Sequence, residues 1–321
     1  MNLWKAMMRI LLFVILAAAA AWAAVAGAAE AVSRSHKPRG EMVDIGGRRL
    51  RLVCEGPRSA GPVVWMEAGA FGGAADFAAL QQKLAARGIR SCAYDRAGMG
   101  YSDPGPKPRD GDAIVGDLER LVVASREPGP YVLMGHSMAG LYVRQFAARN
   151  PEKVAGLVLI DAVTPDMMDQ PDAARFFKRF RTLARLGAVA GSLGLTKPLY
   201  WMGDRIGLPP EGLAEKRRGF ISGRQSRAAL AEVLSWHAAA RQAAAAGPLR
   251  PEWPVAVITA GPPRPGPWNS IRQAPARESQ AGFVDNVDAA SHTTVLGLTY
   301  GDRVVAGLEH VLAALPPAPP R

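Results

Sequence analysis

Tyr131-Val-Leu-Met-Gly-His-Ser-Met-Ala-Gly140 is the stretch on which the reading of the fold turns. Residues 131–134 suit a short buried strand, and residues 138–149 have helical spacing that stops at Asn150-Pro151. Ser137 falls at the tip of the tight turn between them. Such a turn strains its backbone and pushes a hydroxyl outward. It also presses the residues two places before and two places after against neighbouring strands, so both must be small. Gly135 and Ala139 meet that need, and Gly140 eases the second position, where Gly is more usual. The helix behind Ser137 begins with free amides and a positive dipole end, which can face a developing negative charge. The plainer alternative is a serine that only caps that helix.

Outward from this turn the chain alternates between strand and helix. Upstream, residues 42–47 and 49–55 read as two strands joined at Gly46-Gly47, a hairpin signal. Residues 62–66 are a short apolar run ending in Glu67-Ala-Gly-Ala-Phe-Gly-Gly73. Residues 74–87 carry Phe77, Leu80 and Leu84 on one helical face, and residues 89–94 form the next strand. Residues 112–126 set Ile114, Leu118, Leu121 and Val122 in a helical stripe. Downstream, residues 154–160 are continuously apolar, as in a strand buried on both faces. Residues 164–250 then hold no convincing strand and read as several helices, with breaks at Gly187, Gly191, Gly203 and Leu208-Pro-Pro-Glu211. Alternation resumes with a strand at 254–260, a helix near 269–280, a weak strand at 282–287 and a final helix within 296–315. This order predicts an α/β domain with a mostly parallel sheet covered by helices on both faces. Its core would comprise residues 41–163 and 251–315, with residues 164–250 inserted over one end of the sheet. Ligands in such sheets bind beyond the carboxyl ends of the strands.

Apolar residues make up 49% and charged residues 21% of the 321, ordinary for a packed globular protein. Only the tail, residues 316–321, reads as disordered. The net charge of +11 comes from scattered basic residues, densest at Lys178-Arg179 with Arg181 and at Lys216-Arg217-Arg218. No basic stripe interleaved with aromatics is present, so the charge predicts a solvated Arg-rich surface and no nucleic-acid partner. Residues 10–29, after Lys5 and Arg9, are free of charge. They are long enough to cross a bilayer as a helix, and they also resemble a secretory signal with small residues around Ala29. Residues 1–30 are therefore expected to export or anchor the protein, as a cleaved signal peptide or a transmembrane anchor. Arg34, His36, Lys37 and Arg39 follow, so charge asymmetry leaves the orientation open. Cys54 and Cys92 lie in two predicted strands. They pair in an oxidising compartment if those strands are neighbours, and are two buried thiols otherwise.

A serine nucleophile needs a base. Of the five histidines, His36 is in the linker after the apolar segment, and His136 adjoins Ser137 and is expected to point elsewhere. His237 falls in the helical insertion and His310 in the last helix. His292, in the loop Ala289-Ala-Ser-His-Thr293 after the last strand, can reach the serine and gives the order Ser, acid, His. The loop after the 254–260 strand, Gly261-Pro-Pro-Arg-Pro-Gly-Pro-Trp268, contains no carboxylate. Asp161 ends the 154–160 strand at the site edge of the sheet and is the candidate acid, with Asp285 and Asp288 as rivals. Amides for an oxyanion are expected from Met138 and from Ala70 in the glycine-rich loop after Met66. Glu67 is expected to hold that loop through hydrogen bonds.

Glu67-Ala-Gly-Ala-Phe-Gly-Gly73, Ala93-Tyr-Asp-Arg-Ala-Gly-Met-Gly-Tyr-Ser-Asp103 and Gly135-His-Ser-Met-Ala-Gly140, with Leu159-Ile-Asp161, together resemble the α/β-hydrolase superfamily over residues 41–315. The resemblance implies a mostly parallel eight-stranded sheet with helices on both faces and an inserted helical cap. It implies a Ser-His-acid triad and an acyl-enzyme intermediate, with no metal and no organic cofactor. It also implies that the strands of Cys54 and Cys92 are neighbours, which favours a disulfide. Asp95 and Arg96 match a structural turn of the family. Some members carry the acid on the strand before the insertion, as Asp161 would, and the bare loop after Ala260 departs from the commoner pattern. Ser137 argues against the epoxide hydrolases and haloalkane dehalogenases of this fold, whose nucleophile is Asp. The expectation is an exported serine hydrolase, anchored or released, acting on a carboxylic ester or related small acyl substrate. Aminopeptidase, thioesterase and lactonase chemistry fit the same residues, and a non-hydrolytic small-molecule receptor is the rival from another class. Phe176, Phe177, Leu183 and Leu186, with Leu199, Tyr200, Trp201 and Trp236, are expected to line an acyl pocket or to form the cap's own core.

Overall fold

A computed structural model describes residues 3–58, 61–263 and 266–316, so residues 317–321 of the tail lie outside it. Strands β1 (Glu41–Asp44), β2 (Arg49–Glu55), β3 (Val63–Glu67), β4 (Ser91–Tyr94), β5 (Tyr131–His136), β6 (Val154–Ile160), β7 (Val255–Ala260) and β8 (Gly282–Val287) form one sheet. Their order is β1-β2-β4-β3-β5-β6-β7-β8. The β1–β2 and β2–β4 pairs are antiparallel and all others parallel. The hairpin β1–β2 closes at Gly46 and Gly47, both at positive φ, where a side chain would be strained.

The central strands bury both faces because successive side chains alternate across the sheet. Val63 and Trp65 of β3, Tyr131 and Leu133 of β5, and Leu157 and Leu159 of β6 point to one side. They pack there with α3 (Gly111–Ser125) and α4 (Ala139–Arg149). Val64, Met66, Val132, Met134, Val158 and Ile160 point to the other, against α2 (Ala78–Ala85) and α10 (Gly301–Ala313). Phe77, Leu80 and Leu84 are fully buried as one face, although residues 74–87 begin with a 3-10 turn, Ala74–Phe77, before α2. The last helix starts later than the periodicity suggests. A 3-10 turn, Thr294–Leu296, precedes it, and residues 297–298 are tied to the insertion instead. Leu298 N donates to Gly207 O, and a Cβ at Gly297 would stand 1.9 Å from Ile206 O.

Between β6 and β7 the insertion holds α5 (Pro171–Ser192), α6 (Pro210–Phe220), α7 (Gly223–Leu234) and α8 (Trp236–Ala245), with a 3-10 turn Lys197–Met202 after α5. After β7 comes α9 (Trp268–Arg277). The N-terminal apolar segment is a helix, α1 (Leu3–Ser35), which runs past Ala29 through Glu30 and Arg34. Its last turns rest on the insertion, where Ala29 is fully buried with Tyr200 and Ile221. Cys54 and Cys92 are direct partners across the antiparallel β2–β4 pair and form a disulfide, which resolves the two open readings.

Candidate active site

The chain leaves β3 to form β4 on one side of it, then returns to form β5 on the other. The carboxyl ends of β3 and β5 therefore diverge from a switch point, where connecting loops leave a crevice. Glu67 lies beside Gly135 in register, so the loop after β3 meets the turn after β5. The contact is close: a Cβ on Gly69 would stand 2.8 Å from the Cβ of Ser137. Ser137 itself is at φ 57, held between strand and helix by two hydrogen bonds to the neighbouring strand's end. Its amide donates to Ile160 O at 3.0 Å, and Val163 N donates to its carbonyl at 2.8 Å. The small residues are needed as expected, since a Cβ on Gly135 or Gly140 would meet Val143 at 2.9 Å or Val163 O at 2.4 Å.

The same two bonds bring the end of β6 beside the serine, and with it Asp161. His292, from the loop after β8, completes a hydrogen-bonded chain. Its Nε2 lies 2.9 Å from Ser137 Oγ, and its Nδ1 lies 2.5 Å from Asp161 Oδ2. The other carboxylate oxygen, Oδ1, accepts from Arg272 Nη1 at 2.6 Å and from Ala260 N at 3.3 Å. Burial alone would raise the Asp161 pKa, but the His292 hydrogen bond and the Arg272 charge outweigh it, and the carboxyl sits below its ordinary value. An ionised Asp161 only accepts, so Nδ1 of His292 carries the proton and Nε2 is left to accept from the serine hydroxyl. This geometry can take the hydroxyl proton as its oxygen attacks. Asp285 and Asp288 do not join this chain. Asp285 pairs with Arg303 and Asp288 accepts from Asn286.

Neither the Ala70 nor the Met138 amide donates to another group among the described residues. Both are free on loops that touch Ser137. The Ala70 loop is fixed from behind by Arg96, which is 2% exposed. Its five N–H groups meet five acceptors: both oxygens of Glu232 on α7, one oxygen of Glu67, and the carbonyls of Ala68 and Gly69. Glu67 accepts a further hydrogen bond from the Tyr94 hydroxyl. Among the described residues, one group has metal-ligand character, Cys54, Cys92 and Glu127, and the disulfide has consumed its thiols.

Residues 62–210 match the family model described as the alpha/beta hydrolase fold. The structure of a Pseudomonas aeruginosa protein proposed as an epoxide hydrolase superposes with a TM-score of 0.65 at 17% identity, over 85% of this chain and 95% of that one. A thermophilic esterase from Thermogutta terrifontis gives 0.62 at 20% identity, over 87% and 100%. The chain has the alpha/beta hydrolase fold. At these identities the two structures speak for the fold alone. Among curated proteins, an uncharacterized protein of Schizosaccharomyces pombe is 27% identical over 234 residues, 70% of this chain. The chain spans about two fifths of the length of the first curated relatives it matches, 41% and 39%.

Three partners at this site escaped the sequence reading. Arg272, on the helix after the loop that lacks a carboxylate, reaches back to Asp161 across 111 residues. Glu232 meets Arg96 across 136. His136 does turn away from the Ser137 hydroxyl, but it holds the site in another way. Its Nε2 donates to the carbonyl of His292 at 2.8 Å, with the two rings 4.6 Å apart. Burial and the neighbouring His292 press its pKa down to about 3, so the ring is neutral. Adjacency to Ser137 was the only signal for it, and no local pattern marks the other two. The expected lining residues divide. Phe177 and Trp236 are buried against each other, whereas Leu183, Leu186, Leu199 and Trp201 are exposed and belong neither to a pocket nor to the insertion's core. Both sides of α5 are rich in apolar residues, so periodicity alone could not choose the inward one.

Proposed function

We propose that the chain is a serine hydrolase that cleaves a carboxylic ester or a related small acyl substrate through an acyl-enzyme on Ser137. The observation that carries this reading is the unbroken chain from Ser137 Oγ through His292 to a buried, ionised Asp161. Ser137 Oγ attacks the carbonyl carbon while His292 Nε2 takes its proton. The amides of Ala70 and Met138 hold the oxyanion. His292 then returns the proton to the leaving alcohol as the ester C–O bond breaks. Water repeats the sequence and releases the acid. Asp161 stays ionised throughout, orienting His292 and stabilising its charged form. A serine at the turn favours acyl chemistry over epoxide or halide opening. The insertion then caps the site and sets specificity. The helix α1 serves to export or anchor the enzyme, and the Cys54–Cys92 disulfide favours an oxidising compartment outside the cytoplasm.

The test is reaction of the full chain with a fluorophosphonate probe, mapped by peptide mass. An adduct on Ser137 that His292→Ala abolishes is expected, together with turnover of short-chain aryl esters. A folded chain with no adduct would overturn the hydrolase reading in favour of a receptor that binds small molecules without turnover.

A further inference from the structure

The outward side of α5 is apolar where a water-facing surface would be polar. Leu183, Leu186, Val189 and Leu193 recur at every third or fourth position and are each between 59% and 69% exposed. The stripe runs on into the turn Lys197–Met202, where Trp201 and Met202 are also exposed. That turn is where α1 joins the domain. Lys197 pairs with Glu30 at 3.2 Å, Arg218 donates to Ser33 O at 3.1 Å, and Ala29 is buried against Tyr200. An 18-residue window of α1 has a mean hydropathy of 2.5, and none of that window is buried in the protein. An apolar helix and an apolar side of the insertion thus meet at a packed junction. The charge around the stripe is mostly positive, with Glu30 beside Lys197 and Asp172 beside Arg175 as the acidic partners. Between Asp172 and Asp204 the sequence has no acidic residue, but it has Arg175, Lys178, Arg179, Arg181, Arg185 and Lys197.

We propose that this side of the insertion rests on an anionic lipid bilayer, with the α5 stripe and Trp201 in the boundary between headgroups and acyl chains. Amphipathic helices with basic flanks lie in that plane, and anionic headgroups attract the flanking cations. The surface continues the one that α1 buries, so the proposal rests on α1 being retained as a membrane segment. A second copy of the chain fits the charge poorly, because the same basic residues would face each other.

The chain has no cysteine outside its disulfide, so single-cysteine variants can carry an environment-sensitive fluorophore. The full chain would be labelled as Phe13→Cys on α1, Leu186→Cys and Trp201→Cys on the surface in question, and Val123→Cys on the exposed side of α3. Each is reconstituted in vesicles of phosphatidylcholine and phosphatidylglycerol that carry acyl-chain nitroxides. Labels at 13, 186 and 201 are expected to lose most of their emission, and the label at 123 to keep it. Quenching at 186 should weaken in vesicles of phosphatidylcholine alone. Quenching at 13 without quenching at 186 or 201 would leave the anchor standing and overturn the docking. No quenching at 13 would remove the anchor and the docking together. Shielding of 186 from a water-soluble quencher that grows with protein concentration, without lipid quenching, would put a second copy on the stripe and overturn the proposal. No readout uses Ser137 chemistry, so the hydrolase reading stands or falls separately.

Discussion

Arg96 and Arg272 each bind carboxylates near the carboxyl ends of the strands, but one assembly is closed and the other open. Around Arg96, the side chains of Glu67 and Glu232 are each 2% exposed, and every guanidinium donor has a protein acceptor. Around Arg272, Asp161 is buried, yet its second oxygen goes to His292, whose side chain is 48% exposed. The last ring nitrogen of His292 faces Ser137. Burying charges costs free energy that a complete set of partners must offset. In the closed assembly that offset is spent on shape, tying α7 of the insertion to the loop that carries Ala70. In the open assembly one hydrogen bond remains for a group that can change its protonation. The same residue types thus build a closed brace or an open hydrogen-bonded chain, according to whether every partner is sealed in the protein or the last ones reach the surface.

That contrast breaks most sharply at Asp161. Under the proposed mechanism, Asp161→Asn should cut ester turnover about ten-thousandfold, the loss expected when the histidine takes the wrong tautomer. Circular dichroism should show the fold intact, and near-normal turnover would mean that the open assembly does not react. The closed assembly should answer in stability instead. Arg96→Met leaves Glu67 and Glu232 buried without their cation, and urea unfolding should show a loss of about 3–5 kcal/mol. Adding Glu67→Gln and Glu232→Gln should recover part of it. A loss below about 1 kcal/mol would sink the idea of a brace, because charges buried without partners cost more than that.

His136 links the two behaviours, since it is sealed in but holds the backbone of the exposed His292. Its folded pKa, about 3, lies below its ordinary 6.5. The unfolded chain therefore takes up the proton first as pH falls. The stabilisation is complete above pH 6.5 and is lost through the window down to about 3. Chemical denaturation across that window should show up to ~1.4 kcal/mol lost per pH unit from this group. His136→Gln should flatten that slope, and an unchanged slope would assign the acid sensitivity elsewhere. Arg272→Gln should be the mildest change, because His292 still holds Asp161. Turnover should fall about tenfold, near the value of one hydrogen bond to a charged group. A loss as large as that of Asp161→Asn would make Arg272, not His292, the main partner of the acid.

Much of this was legible along the chain because it is local. The turn at Ser137 needs small neighbours within a few residues, and the continuous run 154–160 sets Asp161 at a strand end. Alternation of strand and helix, interrupted once, defines the insertion. His292 stood out because three of the other histidines fall in segments that cannot reach the turn, and His136, which adjoins Ser137, is expected to point elsewhere. The pairing of Cys54 with Cys92 stayed open along the chain, because it depends on which strands are neighbours, and the β2–β4 register decided it. The sequence by itself therefore determined the fold class and the turn that carries Ser137, and narrowed its candidate partners to His292 and a short set of carboxylates, since periodicity and turn sterics act between near neighbours. Tertiary structure alone decided that Arg272 grips Asp161, that Glu232 completes Arg96, that His136 carries His292, and that the leucines of α5 face outward. Those contacts join residues more than a hundred positions apart, or choose between two apolar sides of one helix, and neither leaves a local pattern to read.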